Sequence, residues 1–285
     1  LHLSLRRQRQ MCIRDRYRYS FDVAGMGADG WRNSGEAVAY HGDGGEAETA
    51  SHVLSTISER SEWMRRFYEK YKHGVPFLVF GAIYLLWFYL LEHRGSVDYM
   101  VVHMNIDDYI PFCEVFVVPY LLWFLYVPAV VLYLFFKDKD GYCNCTVFLC
   151  TGMTVFLILS TFIPNIQNLR LHTMPRDNIF TWMISVLWQT DTSTNLFPSI
   201  HVYNSLGAHF AVMANEKLAS KKWLRYGSLA LCISIILSTV LIKQHSMFDV
   251  LTAFILAAVM YAAVYSYNVV SVYRYQLAKR ARRRA

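Results

Sequence analysis

A histidine and an aspartate four residues apart, His245 and Asp249, point most clearly to chemistry in this sequence. They lie at the start of an apolar stretch, where a spacing of four places both side chains on one helix face. The aspartate can accept the imidazole N–H, fix the tautomer and make the other nitrogen a better nucleophile. An ionisable pair inside a membrane segment is costly and suggests function. A structural polar pair between helices is the alternative interpretation.

A second segment, residues 195–201 (NLFPSIH), favours the catalytic interpretation. Pro198 suits the start of a helix, and Ser199 with the free N–H groups of that turn can bind an anion. His201 lies close enough to protonate a leaving oxygen. Alternatively, Ser199 is only a helix cap and His201 an interfacial histidine. A lone P-S-x-H is weak evidence, but H-x-x-x-D follows it 44 residues later.

The two motifs resemble the second and third signatures of the type 2 phosphatidic acid phosphatase superfamily, which also includes vanadium haloperoxidases. The family patterns read P-S-G-H and S-R-x-x-x-x-x-H-x-x-x-D. The matching positions here are Pro198, Ser199, Ile200, His201, Ser238, Thr239, His245 and Asp249. Ile200 in place of Gly and Thr239 in place of Arg resemble the branch of inositol phosphorylceramide synthases and sphingomyelin synthases. The resemblance covers roughly residues 75–270.

The first family motif, K-x-x-x-x-x-x-R-P, is degraded in this chain. Ile163 occupies the Lys position and Leu171 the Pro position, whereas Arg170 fits the Arg position. Arg176 is a second candidate phosphate ligand. Lys243, two residues before the histidine of the third motif, is a candidate replacement for that motif's missing Arg.

The resemblance implies a reaction through a phosphohistidine. His245 attacks phosphorus, Asp249 orients His245, and His201 protonates the departing alcohol before activating water or an acceptor alcohol. The residues expected to bind the phosphate are Arg170, Arg176, Ser199 and Lys243. Positioning and charge stabilisation suffice for phosphoryl transfer. We expect no cofactor and no metal, because the sequence has no carboxylate cluster to hold magnesium.

Composition predicts that lipid is the solvent for much of the surface. Hydrophobic residues make up 55% of the chain and charged residues 17%, against about 25% charged in soluble domains. The net charge of +7 comes from short basic clusters between apolar stretches and at the C-terminus. This distribution is typical of cytoplasmic loops and argues against nucleic-acid binding.

The hydropathy pattern predicts an all-α fold, a polytopic membrane helical bundle with about six transmembrane helices. Spanning a bilayer takes about 20 apolar residues. The six candidates are Val75–Leu91, Pro111–Phe136, Thr146–Pro164, Ile200–Asn215, Tyr226–Ile242 and Ser246–Val270. The fourth is short and carries polar residues. A seventh piece, Ile179–Trp188, is too short to span.

Basic residues predict the orientation. With the N-terminus inside, the inner segments hold 16 Lys and Arg and the outer segments hold 4. The positive-inside rule then places both termini in the cytoplasm. His201, His245 and Asp249 converge at the outer face, and we expect a location in the plasma membrane, among membrane lipids.

The ends of the chain differ from its middle. Residues 1–63 lack helical periodicity and contain the odd stretch MCIRDR at 11–16, so we expect this segment to be disordered or non-native, with Met64 as the start. Residues 64–274 form the predicted transmembrane domain, and residues 275–285 form a basic cytoplasmic tail.

Three functions fit these observations. The first is a phosphatase that acts on a lipid phosphate or polyprenyl diphosphate, and the second is a transferase of a phospho-headgroup. The third is a transporter or inactive scaffold, but transporter polar groups usually lie near the midplane, whereas these cluster at one face. Glu114, inside the second span, is either a buried structural acid or a site-lining group.

Overall fold

The computed structural model describes Thr56 and residues 60–95, 97–273 and 275–276. The prediction for residues 1–63 lies outside the described residues except at Thr56 and residues 60–63, which are helical, and most of the basic tail also lies outside them. The chain divides into two units, Leu1–Glu62 and Trp63–Ala285, and the architecture below is that of the second.

The second unit is built from helices and one short pair of strands. The helices are α1 (Val75–Glu92), α2 (Val117–Lys137), α3 (Lys139–Phe162), α4 (Ile179–Thr190), α5 (Ile200–Ala214), α6 (Lys222–Leu241) and α7 (Met247–Tyr261). A helical stretch at residues 60–71 and the 3-10 turn Lys72–Gly74 lead into α1, and the short helix Glu216–Ala219 precedes α6. Further 3-10 turns cover Asn105–Asp108 and Glu114–Phe116, and the π-helical turn Ala262–Ser266 extends α7.

Five helical stretches among the described residues are long and apolar enough to cross a membrane. They are Arg60–Glu92, Glu114–Lys137, Lys139–Phe162, Lys222–Leu241 and Met247–Ser266. The predicted all-α bundle of an integral membrane protein is thereby confirmed. The remaining predicted span, α5, has 15 residues and is about 22 Å long, shorter than the ~30 Å hydrocarbon core.

Helix α5 is the central helix of the bundle. It packs against α2, α3, α6 and α7, and nine of its residues are buried. Two glycines allow the close approach of α3 and α5: a Cβ at Gly152 would lie 2.0 Å from a ring carbon of Tyr203, and one at Gly207 would lie 2.6 Å from Phe148. Small residues at such crossings are typical of membrane bundles.

Loops on the side of the candidate site are tied together by backbone hydrogen bonds. Strand β1 (Met100–Val101) pairs in parallel with β2 (Asn165–Ile166). The Asn195 N–H donates to the Asn165 carbonyl at 2.7 Å, and the Leu196 N–H donates to the Asn165 side-chain oxygen at 2.6 Å. These bonds fix the segment that enters α5.

Candidate active site

The structure brings His245 and Asp249 together as their spacing predicts. Nδ1 of His245 lies 3.2 Å from Oδ2 of Asp249, and both side chains are buried. The same carboxylate oxygen accepts the Ser246 N–H at 3.0 Å, so Asp249 both caps the first turn of α7 and holds the imidazole. Nε2 of His245 has no hydrogen bond within the described part of the chain, and it is the nitrogen left for chemistry.

His201 faces His245 across a short gap. The two ring centroids lie 5.7 Å apart and the rings are tilted by 58°, so the two imidazoles are close neighbours in the fold. The His201 ring stacks on Tyr120 at 4.5 Å and packs against Trp123 at 4.4 Å. Neither of its nitrogens has a hydrogen-bond partner among the described residues, although both are buried. A buried imidazole without partners is costly in a finished core, which favours a role in binding or catalysis.

Ser199 is the N-cap of α5, and its hydroxyl accepts the Val202 N–H at 3.4 Å. Its own N–H donates to the Asp249 carbonyl at 3.2 Å. The cap interpretation of Ser199 is therefore observed, and this serine also joins the first turns of α5 and α7. Helix α5 begins at Ile200, as the sequence indicates.

Asp107, which the sequence did not single out, holds the turn that carries His245. Its side chain is 1% exposed. The carboxylate accepts the Ser246 hydroxyl at 2.5 Å, the Met247 N–H at 2.8 Å and the Met104 N–H at 2.9 Å. The only hint in the sequence is an acidic residue in an outer loop, because these contacts join residues about 140 positions apart.

A second group of polar residues that the sequence did not single out borders the site. Oδ2 of Asp191 accepts hydrogen bonds from the Gln244 amide at 2.8 Å and from the Tyr120 hydroxyl at 3.2 Å. Burial raises the pKa of the Asp191 carboxyl above its usual range, and the nearby charge of His245 partly opposes this shift. Tyr120 thus links the ring of His201 to an acid close to His245.

Arg170 lies next to this group. Its guanidinium donates to the Gln244 side-chain oxygen at 2.8 Å and to the carbonyls of Trp188, Asp191 and Thr192 at 2.7–2.9 Å. Nε of Arg170 is buried without a partner among the described residues. Burial lowers the pKa of Arg170. Of the three predicted phosphate-binding cations, Arg170 hydrogen-bonds to Gln244, the residue directly before His245.

The other two cations are engaged elsewhere. Arg176 pairs with Glu114 at 2.8 Å, so Glu114, a buried acid of open role in the sequence, anchors the loop that precedes α4. The Lys243 ammonium donates to the carbonyls of Asp107 and Ile110 at 2.9 and 2.7 Å, and Lys243 has a positive φ of 56°. Phosphate binding by these two residues, as by Arg170 and Ser199, stays a prediction.

The arrangement places an imidazole held by a carboxylate next to a second imidazole; the predicted roles of nucleophile, orienting carboxylate and general acid stay predictions. Three elements supply these groups: the first turn of α5, the turn before α7, and α7 itself. Comparison of the chain with models of known protein families, with curated proteins and with solved structures finds no match.

Proposed function

We propose that this protein is a lipid-phosphate phosphatase that works through a phosphohistidine. The observation that carries the proposal is the hydrogen bond from His245 to Asp249, with the unpartnered His201 ring 5.7 Å away. Together with the motif resemblance, it favours an enzyme over a structural polar pair, because most buried polar groups in a purely structural core are hydrogen-bonded.

In the first step, Nε2 of His245 attacks phosphorus, a P–N bond forms and the P–O bond to the lipid alcohol breaks. The charge of Asp249 stabilises the cationic phosphohistidine, and His201 gives its proton to the departing alkoxide. In the second step, His201 takes a proton from water, the water attacks phosphorus and the P–N bond breaks. The anionic phosphate supplies the counter-charge that a protonated His201 needs in this buried position.

Substrate binding follows from the surroundings of the histidines. The phosphate lies at the start of α5, where the helix dipole and the first-turn N–H groups that Ser199 does not cap favour an anion. Arg170 adds a cation beside Gln244. The substrate is a lipid phosphate or polyprenyl diphosphate, and the positive-inside rule supports a reaction at the outer face of the membrane.

Product analysis of the purified protein tests the proposal. Labelled phosphatidic acid, a polyprenyl diphosphate and phosphatidylinositol are each supplied with and without an acceptor alcohol. Release of inorganic phosphate from at least one substrate, abolished in His245→Ala, is the expected result. Label transferred only to the acceptor alcohol would replace the phosphatase by a headgroup transferase, which the residues Ile200 and Thr239 favour.

An acid-labile phosphate on the protein is the second expected observation. It should be absent from His245→Ala and should accumulate in His201→Ala when the first transfer outpaces the second. No turnover with any of these substrates and no trapped phosphate would argue for a transporter or scaffold.

A further inference from the structure

A cavity of about 700 Å³ lies between α1, α2 and α3. Trp123, Val127, Val131 and Phe135 line it from α2 at a spacing of four, which places them on one face of that helix. Among the described residues that line it, Lys72 alone is charged. The walls are therefore suited to a hydrocarbon.

One end of this cavity adjoins the candidate active site. Trp123 and Asn204 line that end; the Trp123 ring contacts His201 at 4.4 Å, and Asn204 follows His201 on α5. Both carry buried polar atoms, Nε1 of Trp123 and Oδ1 of Asn204, that have no hydrogen-bond partner among the described residues. Such atoms are costly unless a bound molecule satisfies them.

The cavity is long enough for one extended chain. From Trp123 to Phe135 the helix rises about 18 Å, more than half of the ~30 Å hydrocarbon core. The far end is formed by Phe67, Tyr71 and Lys72. A single extended tail that starts at the histidines can therefore run past the midplane of the bilayer.

We propose that this cavity binds one hydrocarbon tail of the lipid substrate, with the end of that tail nearest the headgroup at Trp123 and Asn204. The placement of this headgroup-proximal end beneath His201 rests on the proposed function. Surrounding lipid is as apolar as the cavity, so burial gives little net driving force. The cavity thus selects among lipid tails by packing and by the two polar atoms, and its length limits the length of the tail that it can bind.

Photo-crosslinking tests this placement without turnover. The probes are two phosphatidic acids, one with a diazirine near the ester carbonyl and one with a diazirine at the terminal methyl. They are applied to the wild type and to the inert His245→Ala. In both proteins we expect the first probe to label the peptide around Trp123 and the second to label the region of Phe135 and Tyr142. The reverse order would assign the cavity to a lipid of opposite orientation and overturn the proposal, as would labelling spread evenly over the lipid-facing helices.

Two plugging variants sharpen the test. Val127→Phe fills the cavity near its Trp123 end, and Val131→Phe fills it one turn, about 6 Å, deeper. Both should lose labelling at Phe135 by the terminal probe, whereas Val131→Phe should keep labelling at Trp123 by the first probe. Leu125→Phe, on the lipid-exposed face of the same helix, should label like the wild type.

Turnover gives an independent measure. The ratio of turnover on dioleoyl to that on dibutyryl phosphatidic acid should fall in both plugging variants and not in Leu125→Phe. Full labelling at Phe135 in both correctly folded plugging variants would overturn the proposal. If no phosphate ester is turned over at all, the proposed function fails while the crosslinking pattern still decides the occupant.

Discussion

At the scale of single residues, the candidate site consists of three predicted catalytic groups and the side chains that hold them. His245, Asp249 and His201 were identified from motif spacing, because a separation of four on a helix and a helix start after Pro198 are local properties of the chain. Asp107 and Asp191 were not identified. Their contacts to the site cross more than 50 residues of sequence, and periodicity says nothing about such pairings.

Asp249→Asn tests the orienting carboxylate. The amide keeps the side-chain shape but loses the charge that stabilises a cationic phosphohistidine, and it can select the wrong tautomer of His245. The orienting Asp of serine proteases is worth about 10⁴-fold, so we expect turnover to fall by roughly 10²–10⁴-fold. Size-exclusion chromatography should show a folded protein. Near-normal turnover in both Asp249→Asn and His245→Ala would make the pair structural.

Asp107→Asn tests whether the anchored turn positions His245. The amide cannot accept all three of the hydrogen bonds that the carboxylate accepts, so the turn should shift. A misplacement of about 1 Å can cost about 10²-fold in rate; we expect a fall of that order in kcat with KM little changed. The matched control is Asp108→Asn, whose side chain is 65% exposed. Equal activity of the two variants would show that Asp107 does not position His245.

Asp191→Asn tests the effect of burial on charge. Because burial raises the pKa of Asp191 above 3.8, its ionised form destabilises the folded protein at neutral pH, and this cost vanishes as the pH falls through the raised pKa. The variant should therefore unfold at a higher temperature than the wild type at pH 7, with the difference shrinking towards pH 4. Asp177→Asn, at an exposed position, is the control for the loss of one carboxylate. A lower melting temperature of Asp191→Asn than of the wild type at pH 7 would contradict the prediction.

At the scale of elements, the sequence located most helices well. The predicted spans Val75–Leu91 and Ile200–Asn215 differ from α1 and α5 by one residue at one end. Helix α3 begins at Lys139, seven residues before the predicted Thr146. The predicted span was restricted to the apolar core, whereas Asp138 caps a helix that starts in the polar segment.

Gly152→Ala tests the contact of α3 with α5. The new methyl would meet the ring of Tyr203. This side chain is 1% exposed and its hydroxyl donates a hydrogen bond to the Phe148 carbonyl, so the ring has little room to move. Overpacking typically costs about 1–3 kcal/mol, and the melting temperature in detergent should fall. Gly81→Ala on α1, where a Cβ meets nothing within 4 Å, should leave stability unchanged or raised. A neutral Gly152→Ala would show that the bundle adapts at this crossing.

At the scale of the whole molecule, orientation is the property that decides which lipids reach the site. The split of 16 inner against 4 outer basic residues predicts that residue 172 faces outside and residue 220 faces the cytoplasm. Single cysteines at His172 and Ser220, in a background without native cysteines, can be probed in intact cells with an impermeant maleimide. Labelling at 172 alone is expected, and labelling at 220 alone would invert the topology.

The short central helix α5 has a consequence for biogenesis. A segment of about 22 Å that carries Asn204, Ser205 and two histidines is poorly suited to enter a bilayer on its own. It becomes stable there only when α2, α3, α6 and α7 surround it. His201 is carried by this helix, whereas His245 precedes α7 near the end of the chain. The two histidines therefore come together only after α7 has been made and has packed against α5, so a chain that still lacks α7 cannot assemble the candidate site.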